Sequence, residues 1–146
     1  TELRGPTSPE AALAAVSTVH PAIEVIDSRF KDFKFTLIDV IADNTSASAF
    51  VLGPGTPVHE VELGGLAIRL DVGDREHLEG STAAILDHPA NSLAELANML
   101  AERGEIIPAE AIILAGAATA AVFVQPGDDV RVEVHELGSV RLGVVE

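Results

Sequence analysis

The rhythm of apolar and polar positions changes several times along the chain, and each change predicts an element. Alanine-rich Ala11 to Val16 follows Ser8-Pro9-Glu10. Serine is a good N-cap, proline suits the first helical position and glutamate the first turn, so a helix starts here. It ends at His20-Pro21, because the residue before a proline avoids the α region. Ala22 to Asp27 is a short run rich in Ile and Val and reads as a strand. Alternation places Ala22, Glu24 and Ile26 on one face and Ile23, Val25 and Asp27 on the other. Ser28 to Lys34 is charged and turn-like. Phe35 to Ala42 fits a short helix or a strand, and periodicity does not decide between them. Ala47 to Leu52 predicts another strand, closed by Gly53-Pro54-Gly55.

From Leu63 to Ser81 the pattern is a β-hairpin. Ala67, Arg69 and Asp71 alternate with Leu66, Ile68, Leu70 and Val72, and Gly73-Asp74 supplies the turn. Pro89 to Arg103 is the clearest helix: Leu93, Leu96, Ala97 and Leu100 recur at helical spacing, and Gly104 is the C-terminal stop. Strands are then expected at Ala111–Leu114, Ala120–Val124, Asp129–His135 and Ser139–Val145. Turns at Pro126-Gly127-Asp128 and Leu137-Gly138 separate the later ones. Many short strands with a few inserted helices predict one α+β domain over residues 1–146, mainly β, with a mixed sheet curled on itself.

Composition narrows the function. Hydrophobic residues make up 47% and charged residues 22%, a globular balance, whereas aromatics are only 3%. Few aromatics argue against base-stacking platforms. The net charge of −14, from 23 acidic and 9 basic residues, disfavours a nucleic-acid phosphate partner and an anionic membrane surface. No run reaches the ~18 apolar residues of a membrane span. Without cysteine there is no disulfide or thiolate chemistry. The only methionine is Met99 and the first residue is Thr1, so the chain is expected to be the later part of a longer polypeptide.

Two stretches carry candidate chemistry. Glu24 sits in an apolar run that reads as a buried strand, and a buried carboxylate needs a partner, a metal or a raised pKa. A hard cation such as Mg²⁺ is one reading; a solvent-facing edge glutamate, or one paired with Arg29, is the other. Asp43-Asn44-Thr45-Ser46 supplies hydroxyl and backbone N–H groups suited to a substrate carboxylate, and equally suits a plain Asx or ST turn. His20, His59, His77, His88 and His135 share no metal-ligand spacing and read as surface or turn residues. Small-residue Gly116 to Ala121 permits close backbone approach, more simply for packing than for a ligand.

Pro21-Ala-Ile-Glu-Val-Ile-Asp-Ser-Arg29, Asp32-Phe-Lys-Phe35 and Ile41-Ala-Asp-Asn-Thr-Ser46 together resemble the hydratase/decarboxylase branch of the fumarylacetoacetate hydrolase superfamily. His88-Pro89-Ala-Asn-Ser92, Leu96-Ala-Asn98, Arg103-Gly104, Ile107-Pro108, Pro126-Gly127-Asp128 and Leu137-Gly-Ser-Val140 extend the likeness over nearly the whole chain. Members carry a further segment ahead of the matched part, with a Glu-x-Glu pair and a lysine near the substrate. The resemblance therefore implies that the chain lacks an upstream segment and that Glu24 is one of three carboxylates holding Mg²⁺ or Mn²⁺. It also implies that Ser46 contacts the substrate carboxylate or oxo group and that Asp43 acts at or beside the substrate. Asn44 and Arg29 would then be substrate-side residues, and Asp27 and Arg29 would orient the loop beside the metal. Two positions depart from the family pattern: Asp87 replaces the usual Gly before His-Pro, and Ala115 replaces a Thr.

What the resemblance implies about activity is a lyase of aromatic meta-cleavage catabolism, cytoplasmic, acting on a small anionic 2-oxo acid. Phe33-Lys-Phe35 and Ala118-Thr-Ala-Ala-Val122 favour the 4-oxalocrotonate decarboxylase branch over the 2-hydroxypenta-2,4-dienoate hydratases. A homo-oligomer, and a complex with a partner hydratase, are implied as well. The reading from another class is a non-catalytic domain that only packs against a subunit.

Overall fold

The computed structural model describes residues 1–146. Helix α1 spans Pro9–Ala14, and its Ser8 cap accepts the Ala11 N–H at 3.2 Å. Strands β1 (Thr18–Val19) and β2 (Ala22–Ile26) follow, then helix α2 (Leu37–Ala42) and strand β3 (Ala47–Leu52). Helix was the outcome at the undecided Phe35–Ala42 stretch because Thr36 and Asp39 form a capping box. The Asp39 carboxylate accepts the Thr36 N–H at 2.9 Å while the Thr36 hydroxyl oxygen accepts the Asp39 N–H. Strand β4 is Thr56–Pro57, the hairpin is β5 (Ala67–Val72) and β6 (Glu76–Ser81), helix α3 is Pro89–Ala101, and β7 (Asp129–Val134) and β8 (Gly138–Gly143) close the chain. No helix is long and apolar enough to cross a membrane.

The α+β, mainly β class is the observed one. The strands are divided among a four-stranded sheet in the order β6-β5-β7-β8 and two ribbons, β1-β4 and β2-β3. All ladders are antiparallel, so the mixed pairing expected from the sequence does not occur. Leu70 pairs with Leu78 on one side and Val132 on the other, and Val132 pairs with Val140, which stacks apolar residues on one sheet face. That face and Ile23, Leu63, Leu66 and Leu137 form the main core, with Val72 only 1% exposed. Arg69, Asp71, Arg131 and Glu133 alternate onto the other face, where Asp71 accepts from Arg69 at 2.9 Å and meets His77 at 2.7 Å.

A second, smaller core joins α1 to α3 through Ala12, Ala94 and Ala97, with Leu3 and Ile107 bridged beside them. Alanines on both helices let the axes approach closely. Asn98 fixes the entry to α1, accepting the Thr7 N–H at 2.7 Å and donating to the Thr7 carbonyl at 3.2 Å. At the start of α3 the His88 ring accepts the Ala90 N–H at 3.0 Å, so this histidine is a helix cap. Asp87 just before it has φ 67°, a left-handed conformation that favours glycine.

Two expected strands are absent. Ala111–Leu114 and Ala120–Val124 form no ladder, and between Ile112 and Val124 no backbone N–H reaches a backbone carbonyl. Their composition favours strand, yet a ladder also needs a neighbour whose backbone groups are in register, and no strand pairs with either segment. The segment is held instead by side chains: Ser92 donates to the Ala115 carbonyl at 2.6 Å and Arg75 to the Phe123 carbonyl at 3.2 Å. Its small residues pack directly on β6, where a Cβ on Gly80 would lie 2.2 Å from the Ala118 carbonyl oxygen. Close packing is thus what the alanines of this stretch permit.

Candidate functional site

The site begins where β2 ends. Ile23 points into the main core, and Glu24, on the opposite face of the ribbon, is exposed. The expectation of a buried Glu24 is therefore corrected. β3 pairs along one edge of β2 and the main core packs on the Ile23 face only, so the apolar run does not mean burial on both sides. Arg29, the cation offered by sequence as its partner, pairs with Asp43 instead. Glu24 stands opposite Phe50 of β3, and the pairing slips by one residue after Val25, where Ser48 is the extra residue in β3.

Beyond that slip lies a turn with unusual backbone. Asn44, Thr45 and Ser46 have φ values of 51°, 55° and 61°, three successive left-handed residues with no glycine among them. Each such residue costs on the order of 1–2 kcal/mol and persists only where its surroundings dictate it. Those surroundings centre on Asp43, whose side chain is 3% exposed. One carboxylate oxygen meets Arg29 Nε at 2.5 Å; the other accepts from the Ser46 hydroxyl at 3.0 Å, the Ser28 hydroxyl at 3.2 Å and the Arg29 N–H at 3.3 Å. The Arg29 guanidinium also donates to the carbonyls of Asp43, Asp27 and Ala47, and the Asp27 N–H donates to the Ser46 carbonyl at 2.8 Å.

Burial opposes ionisation of Asp43. The Ser46 hydroxyl, the Arg29 N–H and the Arg29 guanidinium outweigh it and hold the carboxyl below its ordinary value of 3.8. Because the folded carboxyl titrates below the unfolded one, this contribution is complete above the unfolded value and is lost as pH falls through the folded value. The melting temperature should accordingly be flat in this respect above about pH 5 and fall below it. An Asp43→Asn variant, measured by thermal denaturation from pH 7 to pH 3, should show a shallower acid limb; an identical limb would remove Asp43 from the cause.

The sequence-derived site residues fall into two groups. Glu24 lines a broad cavity of about 980 Å³, whose wall also includes Ala22, Ile26, Thr45, Glu110, Ala120 and Val122, whereas Asn44 is exposed and outside that lining. Asp43 and Ser46 are buried behind it and bonded to each other, while Arg29 is spent on Asp43 and three carbonyls. Thr45 carries no distinctive signal in sequence, since a turn residue's direction depends on φ. No three His, Cys, Asp or Glu side chains are grouped to hold a metal ion. Glu24 is a suitable hard ligand, but the residues of this chain do not complete a divalent site around it. The five histidines lie on the surface, in turns or at a helix cap.

Comparison with known proteins gives a consistent result. The family model described as fumarylacetoacetate (FAA) hydrolase C-terminal matches residues 1–145. A 4-oxalocrotonate decarboxylase of Pseudomonas sp is 48% identical over 138 residues, covering 94% of this chain and 54% of the relative. The 2-keto-4-pentenoate hydratase 1 of Dechloromonas aromatica is 36% identical over 122 residues, covering 82% of this chain and 46% of the relative. Among solved structures, 4-oxalocrotonate decarboxylase from Pseudomonas putida G7, complexed with magnesium and adipate, superposes with a TM-score of 0.93 at 43% identity. That match covers 99% of this chain and 56% of the other. The chain spans about half the length of the relatives it matches.

Proposed function

Since the chain belongs to the fumarylacetoacetate hydrolase C-terminal family, we propose that it is the Glu24-bearing part of a 4-oxalocrotonate decarboxylase. The observation that carries this is Glu24, one of two carboxylates, with Glu110, on the wall of a largely apolar cavity large enough for a six-carbon dicarboxylate. The choice of decarboxylase over hydratase is supported by 48% identity to the former against 36% to the latter. Residues 1–146 form one domain that works with a segment outside them, and that segment supplies the remaining ligands for Mg²⁺ or Mn²⁺ beside Glu24. Such an ion, when bound, supplies positive charge next to the substrate's 1-carboxylate and 2-oxo group.

In the proposed reaction, the bond between the remote carboxylate and its carbon breaks and CO₂ leaves. Its electron pair moves through the conjugated system to the 2-oxygen, which takes up a proton to give 2-hydroxypenta-2,4-dienoate. This chain's contribution is an apolar wall, including Ile26 and Val122, that keeps water from the developing dienolate. We assign the enzyme to the cytoplasm and to an oligomer that includes its partner hydratase. The exposed apolar residues Leu37, Ile38 and Ile41 of α2, at 75%, 79% and 65%, support a protein-covered surface.

The test is an assay of the complete polypeptide with two substrates. Release of CO₂ from 2-oxohex-3-enedioate without hydration of 2-hydroxypenta-2,4-dienoate is the expected result. Hydration of the second without CO₂ from the first would assign the hydratase activity instead.

A further inference from the structure

We propose that Gly80 and Ser92 are positioning residues that seat the unpaired stretch from Ile112 to Val124 and so set the length of dicarboxylate the cavity accepts. This rests on the reading of the cavity as the substrate site. Every residue from Ile112 to Val122 lines that cavity, yet no backbone N–H of the stretch reaches a backbone carbonyl. Its position is therefore decided by the few groups that hold it from outside. Ser92, on α3, donates its hydroxyl to the Ala115 carbonyl at 2.6 Å. Arg75, in the turn between β5 and β6, donates to the Phe123 carbonyl at 3.2 Å and is itself tied to the Asp128 carboxylate at 2.5 Å.

Between those two ties the stretch rests on β6 at Gly80. A Cβ there would fall against the Ala118 carbonyl oxygen and 2.9 Å from the Thr119 methyl, nearer than such atoms approach. Gly80 is not in the left-handed region, so its own backbone does not require glycine; the approach of a second backbone does. Any side chain at this position must move one of the two partners. β6 is paired with β5 along its whole length, and β5 with β7, so β6 is held in place. The stretch has no ladder and gives way. Gly80 is outside the cavity lining while Ala117 to Ala121 are all within it, so the stretch moves off β6 and into the cavity. A long dicarboxylate meets the displaced wall before a short one does.

The experiment uses the complete polypeptide, with adipate and the shorter succinate as unreactive dicarboxylate probes and 2-oxohex-3-enedioate as substrate. Gly80→Ala should weaken adipate about tenfold and succinate less than about twofold, and raise KM about tenfold with kcat within about threefold. Gly143→Ala is the control: it also lies in a strand, but its Cβ would enter open space, so every measure should match wild type. Ser92→Ala should weaken adipate about fivefold, and Ser92→Thr, which keeps the hydroxyl, should stay within about twofold of wild type. Adipate and succinate weakened by Gly80→Ala in equal proportion, or both unchanged, would overturn the assignment of Gly80. Equal adipate affinity in the two Ser92 variants would overturn that of Ser92, and this pair decides alone where Gly80→Ala does not fold. If wild type binds neither probe, the cavity reading falls and the proposal with it. If wild type releases no CO₂ but Gly80→Ala still shifts the preference from adipate to succinate, the reaction is wrong and the seating stands.

Discussion

Glu24→Ala in the complete polypeptide should cut CO₂ release from 2-oxohex-3-enedioate about a thousandfold, or ~4 kcal/mol of barrier, while the melting temperature moves by less than ~2 °C. The two halves of this expectation have separate origins. Glu24 is exposed on the open face of β2 and its nearest sequence cation is engaged with Asp43, so the fold takes nothing from its charge. Exposed substitutions away from caps and networks usually change stability by less than ~0.5 kcal/mol. Glu24 lines the cavity beside Ala22 and Ile26 and takes no part in the ion pairs that hold the adjoining turn, so its removal leaves those contacts in place. Isothermal titration with Mg²⁺ should show binding by wild type and none by the variant. Activity within tenfold of wild type would defeat the assignment of Glu24 as a metal ligand.

Much of the scaffold was legible because its signals are local. Ser8-Pro9 and Gly104 bound helices by capping chemistry, and strict alternation in β5 and β7 set which residues face the core. Alternation also placed Glu24 opposite Ile23 correctly; the mistake was to take an apolar run as buried on both faces. The capping box at Thr36 and Asp39 was present in sequence and would have settled α2. The extended stretches at 111–114 and 120–124 could not be resolved this way, because pairing depends on what lies beside a segment. The Arg29–Asp43 pair spans 14 residues and is a tertiary fact; its motifs were visible, its geometry was not. Resemblance supplied Ser46 as the substrate contact, and its bond to the buried Asp43 carboxylate is a further tertiary fact that no sequence pattern marks.

Thr82 is a residue that no pattern marked, and its loss should be among the most damaging in the chain. It is 6% exposed, at the end of β6, and its hydroxyl serves two backbone groups at once. It donates to the Leu63 carbonyl at 2.6 Å and accepts the Leu66 N–H at 2.9 Å, while the Thr82 N–H reaches the Leu66 carbonyl at 3.0 Å. The Leu63–Leu66 turn that leads into β5 is thus fastened to the far strand of the hairpin, and both leucines belong to the main core. Thr82→Val keeps the volume and orphans a buried carbonyl and a buried N–H, at about 1–3 kcal/mol each. The expected loss is about 2–4 kcal/mol by denaturant unfolding, or a fall in melting temperature of about 5–15 °C. Thr82→Ser retains the hydroxyl and should lose only the methyl's burial, about 1 kcal/mol. Equal losses in the two variants would show that packing, and not the paired backbone groups, is what Thr82 contributes. A larger loss for valine, the bulkier and more apolar of the two, has no explanation but the unpaired groups, since burial alone predicts the opposite order.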